Sequence, residues 1–177
     1  MTEKMMPEHV DPFRYAEQSL SLNGVVNINE MKRLAEIFNK FQPAFDIKEQ
    51  VNVDLRFGRD EQGVTFVRGH LHAELALQCQ RCMEPYNYEI MSDFVLGIVK
   101  TYDEAKALPE SYEPALTQEG QLALRDLIED EIILNLPIIP KHELEDCKVK
   151  EMVDESTQAK LENPFKILES LKHKQEK

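Results

Sequence analysis

The strongest constraint in this sequence is a two-residue alternation that holds from Val51 to Cys79. Val51, Val53, Leu55 and Phe57 alternate with polar residues, and Phe45 and Ile47 precede them on the same period. Gly58-Arg-Asp-Glu-Gln-Gly63 reads as a loop. Beyond it, Thr65, Val67, Gly69, Leu71, Ala73, Leu75, Leu77 and Cys79 keep one face for fifteen residues, opposite Phe66, Arg68, His70, His72, Glu74 and Gln78. Successive side chains of a strand point to opposite faces, so the pattern predicts a long β-hairpin over about 45–79 with one face on a core.

The flanks are placed by weaker signals. Ser19 to Gly24 reads as a brief strand ending in an Asn-Gly turn. Asn29 then precedes Met31, Leu34, Ala35, Ile37 and Phe38 at helical spacing, which predicts an N-terminal helix over 30–41. Tyr86, Tyr88 and Ile90 continue the sheet, Phe94 to Val99 make a further strand, and 101–120 reads as an acidic, proline-bearing loop. Leu122, Leu124, Leu127, Ile128, Ile132 and Leu136 fit an amphipathic helix over about 121–136, closed by Pro137, with Asp126, Glu129, Asp130 and Glu131 on its polar side. Asn163-Pro164 is a helix start, and Phe165, Leu168 and Leu171 follow it with Lys166, Lys172 and Lys174 alongside. The expected class is therefore α+β. One domain, 1–162, is built on a mainly antiparallel sheet, and a short basic amphipathic tail helix, 163–177, is appended to it.

Charge narrows the partners. The net charge is −12, and residues 101–162 carry 16 acidic against 6 basic side chains, while 163–177 carry 4 basic against 2 acidic. A protein that grips nucleic acid by its phosphates needs a basic face, and this surface would repel phosphate over most of its extent. An acidic surface aids solubility, and it can also meet a basic protein. The four carboxylates of 126–131 and the tail residues Phe165, Lys166, Leu168, Leu171, Lys172 and Lys174 are the candidate partner-binding groups. The longest apolar-rich run, Ile132 to Ile139, is broken by Asn135 and Pro137, so no membrane partner is expected. Three cysteines cannot all pair, and the N-terminus lacks the apolar core of a signal peptide; the expected compartment is the cytoplasm.

Cys79-Gln-Arg-Cys82 is the spacing with a mechanism behind it. Two thiolates at one turn can share a zinc, and His142 and Cys147 would complete a Cys₃His set for one structural Zn²⁺. The same residues also read as an inward apolar side chain and two ordinary reduced thiols. His70 and His72 share a strand face and read as solvated neighbours. The chain has no G-x-x-x-x-G-K-[ST], G-x-G-x-x-G or G-x-S-x-G, so no catalytic residue and no small-molecule substrate are expected.

Several segments resemble the YceD family, the large ribosomal RNA subunit accumulation proteins. They are Asp11-Pro12, the Cys79–Cys82 turn after a long hairpin, Ala107-Leu-Pro-Glu-Ser-Tyr-Glu-Pro114, Glu129-Asp-Glu-Ile-Ile-Leu-Asn-Leu-Pro137 and Asn163-Pro-Phe165 with its Leu-Lys ending. Some relatives carry further cysteines around the position of Cys147, where this chain has one. The resemblance implies a bacterial cytoplasmic, non-enzymatic factor for synthesis, processing or stability of 23S rRNA. The expected partner is a large ribosomal subunit precursor, met through a ribosomal protein or the rRNA. The alternatives are a metal-dependent RNA-processing enzyme using the helix carboxylates and an acidic chaperone of a basic ribosomal protein.

Overall fold

A computed structural model describes residues 5–41 and 50–148. Strands β2 (Ser21–Asn27), β3 (Gln50–Arg59), β4 (Thr65–Gln78) and β5 (Pro85–Val99) follow one another as antiparallel neighbours. The predicted alternation is realised across β3 and β4: Val51, Val53, Leu55 and Phe57 are buried beside Ala73, Leu71, Gly69 and Val67. Phe45 and Ile47, the expected start of the hairpin, lie outside the described residues. The tail 163–177 does too.

The hairpin turn is tighter than the sequence pattern suggests. Gly58 and Arg59 still pair in β3, opposite Phe66 and Thr65. Asp60 makes the turn: its Oδ1 accepts from the backbone of Gln62 and Val64, and Gly63 takes a φ of 86°. Asn23-Gly24 does not turn at all. It runs straight through β2, with Gly24 opposite Val53, because the long β3 offers a partner for every residue to Asn27. Likewise Tyr86 to Val99 is one strand, not two, since β4 pairs with it without a break from Phe66 to Gln78.

Helices cover the buried face of this sheet. Helix α1 (Pro12–Glu17) has Pro12 in its first turn and Asp11 as N-cap, accepting from Phe13 and Arg14. Helix α2 (Lys32–Phe41) starts later than predicted, after a separate 3₁₀ turn at Ile28–Glu30. Helix α4 (Leu124–Asn135) buries Leu124, Leu127, Ile128 and Ile132. The expected loop of 101–120 holds a short helix α3 (Tyr102–Lys106) and a strand β6 (Glu113–Leu116). β6 pairs parallel with β5 and forms an edge of the five-stranded sheet. Away from that sheet, β1 (His9–Val10) pairs with β7 (Leu122–Ala123). The described residues thus make one α+β domain.

Gly69 is the tightest point of the core. A Cβ there would overlap the ring of its cross-strand neighbour Phe94, which is buried and occupies the space above the glycine. Gly69→Ala is expected to cost about 1–3 kcal/mol, the range for overpacking a filled core. Chemical denaturation measures it, and an unchanged midpoint would mean that the Phe94 ring moves aside freely.

Candidate functional site: a metal centre and an acidic cleft

The first site forms where β4 ends in the turn Cys79–Glu84 that leads into β5. Cys79, fully buried, continues the inner face of β4. Its N–H donates to the Glu84 carbonyl, and its carbonyl accepts from Met83, which adopts a left-handed φ of 63°. That closure places Cys82 beside Cys79. The chain after α4 then returns over the turn. The Gln80 N–H donates to the Pro140 carbonyl (2.8 Å), and Arg81 Nη2 donates to the His142 carbonyl (2.8 Å). Lys148 Nζ meets Glu84 at 2.8 Å.

This strapping brings together all four residues that the sequence nominates for a metal. One ligand atom from each of Cys79, Cys82, His142 and Cys147 lies within 4.8 Å of every other. Tetrahedral zinc, with Zn–S ~2.3 Å and Zn–N ~2.0 Å, sets a sulphur–nitrogen edge of about 3.5 Å; Cys82 Sγ to His142 Nδ1 is 3.4 Å. None of the three sulphurs is in a disulfide. Burial pushes the Cys79 thiol up, but the N–H groups of Cys82, His142 and Arg81 directed at its sulphur outweigh this and hold its pKa at about 5. Burial, with Cys79 and Cys147 alongside, raises that of Cys82. Three soft sulphurs and one imidazole are the donors structural zinc takes.

The carboxylates of α4 do not form one face. Glu129 is 3% exposed and points inward. Its Oε1 accepts from the Leu34 N–H (2.9 Å) and its Oε2 from Arg33 Nε (3.1 Å). Asp130 is exposed and pairs with Arg33 Nη1 at 2.5 Å. Asp126 is exposed. Glu131 turns the other way and is 8% exposed, with the Ser92 hydroxyl 3.5 Å from its Oε2. Burial, with Glu113 nearby, raises the Glu131 pKa above the ordinary carboxylate range. These side chains line a cleft of about 1340 Å³ between α4, β6 and the β1–β7 pair. Arg125, in the same cleft, is held between Glu8 (3.1 Å) and Glu30 (3.2 Å). Arg33, Arg125, Glu8, Glu30 and Glu113 carry no sequence signal, because their partners lie far along the chain. On the opposite face of the sheet, His70 bonds Asp93 (2.9 Å) and His72 bonds Glu89 (3.0 Å) across strands, as exposed pairs.

An α+β domain with a Cys₃His corner and an acidic cleft is the class of protein defined here. The family model for "Large ribosomal RNA subunit accumulation protein YceD" matches residues 67–172, and the chain belongs to that family. A protein of Haemophilus influenzae named Large ribosomal RNA subunit accumulation protein YceD is 34% identical over 180 residues, covering 98% of this chain and all of that one. No solved structure matches this chain. Among the described residues, no helix is long and apolar enough to cross a membrane.

Proposed function

We propose that this chain is a non-enzymatic factor in large ribosomal subunit biogenesis. It supports synthesis, processing or stability of 23S rRNA in the cytoplasm by docking on an assembling particle through a basic ribosomal protein. The name of the relative, matched over 98% of this chain and all of that one, supports the assignment to the large subunit. The charge of −12 favours a protein contact over a phosphate one. A nuclease reading is disfavoured by the α4 carboxylates, which diverge: Glu129 and Asp130 serve Arg33, and Glu131 faces Ser92. Zinc held by Cys79, Cys82, His142 and Cys147 has a structural part, tying the segment after α4 to the β4–β5 turn. Sedimentation of a cell lysate at low and moderate salt tests the role. Co-migration with large-subunit precursors at low salt, weakened as salt rises, is the expected result. Protein that stays at the top of both gradients would overturn it.

A further inference from the structure

We propose that the cleft between β6 and α4 takes an extended, arginine- or lysine-bearing segment of a partner protein, with Glu131 and Glu113 receiving its cationic side chains. The inference rests on the docking role above and names the chemistry of the contact.

Four observations carry it. At about 1340 Å³ the cleft exceeds what a small ligand fills, and its size suits a length of polypeptide. Its two arginines are already matched internally, which leaves Lys32 facing Glu113, Glu119, Asp126 and Glu131, none of whose side chains meets a cation among the described residues. The cleft is thus complementary to positive charge.

Glu131 is the anchor. It is more than nine-tenths buried, Ser92 touches one of its oxygens only at the limit of a hydrogen bond, and the other accepts none among the described residues. Its second oxygen is not sealed off and opens to the cleft, where a guanidinium entering would bond it.

The cleft wall supplies the backbone. β6 is an edge strand, paired with β5 on one side, and all four of its residues line the cleft. Leu116 and Leu134, 37% and 75% exposed, stand at the rim. A strand laid beside such an edge presents side chains alternately, so cationic and apolar residues in turn would match carboxylates and leucines.

The test uses the full chain and a fluorescein-labelled ten-residue peptide alternating arginine and valine, followed by anisotropy. Saturable binding is expected, weakened roughly tenfold or more in Glu113→Gln/Glu131→Gln, as loss of charged hydrogen bonds predicts. The pair Glu61→Gln/Glu110→Gln, outside the cleft and equal in charge change, should bind like the parent. Glu131→Gln alone should melt no lower than the parent while binding less, which separates a binding role from a structural one. Equal losses in both double variants, or no saturable binding, would overturn the proposal. Tighter binding by Lys166→Gln/Lys172→Gln/Lys174→Gln would overturn it in favour of the chain's own tail as occupant. Parent protein that binds the peptide but never migrates with precursors would sink the docking role and leave the cleft standing. Particle binding that survives in the cleft variants, without peptide binding by the parent, would do the reverse.

Discussion

Stripping the purified protein with a strong chelator is expected to lower its melting temperature by roughly 10 °C, and the untreated protein is expected to carry about one zinc per chain by elemental mass spectrometry. A ligand at a thousand times its Kd adds about 4 kcal/mol to the folded state. At this chain length each kcal/mol shifts the midpoint by about 2–4 °C. Cys82→Ser should reproduce the loss and abolish the zinc content, because Cys82 Sγ, 3.4 Å from His142 Nδ1, would be one of the four ligands. The fold has its own core in the β3–β4–β5 sheet, so the apo protein is expected to weaken without unfolding as a zinc finger does. A metal-free protein whose melting is indifferent to chelator would make the four residues three reduced thiols and a histidine.

Glu129→Ala is expected to destabilise the domain by about 3 kcal/mol, a drop of roughly 10 °C. The first N–H groups of a helix have no partner within it, and in α2 one of them, that of Leu34, is answered by a carboxylate 95 residues away. The same carboxylate holds Arg33 and lies near the positive end of the helix dipole. Removing it leaves a buried donor unsatisfied. Glu129→Gln keeps an acceptor for Leu34 and should lose less. Asp130→Asn, next in sequence but exposed, should stay within about 1 kcal/mol. Thermal melts of the three decide it: equal losses for Glu129→Ala and Asp130→Asn would mean that Glu129 acts only as surface charge.

Glu129 also shows where sequence pattern stops being informative. On a helical wheel it belongs with Asp126 and Asp130, and nothing local distinguishes it from them. Its inward position depends on α2 crossing α4, a contact between residues nearly a hundred positions apart. The sheet was legible because β3 and β4 each bury one face, so their side chains spell the period directly. Gly58 reads as the start of a loop, yet it stays in β3, paired with Phe66, whose ring occupies the space a side chain would need. β6 was not legible: four residues, one a proline, are too few to show a period, and their pairing with β5 is parallel. Cys79 and Cys82 announced a metal site by spacing alone. His142 and Cys147 could be added only by counting donors, since the hydrogen bonds of Gln80 and Arg81 that bring them there are not written in any motif.

The β1–β7 pair sets an order of events during synthesis. Strands β2 to β5 each find their partner in the neighbouring segment, so they can zip together as the chain emerges. His9 and Val10 have no partner until Ala123 and Leu122 exist, and Arg125 reaches Glu8 only after that. The β1 strand must therefore stay unpaired while more than a hundred residues are made, although Met5 and Met6 just before it can already meet Val25 of β2. Closure of this two-strand latch, with α4 settling onto the sheet beside it, leaves one later long-range step, the return of residues 140–148 over the β4–β5 turn.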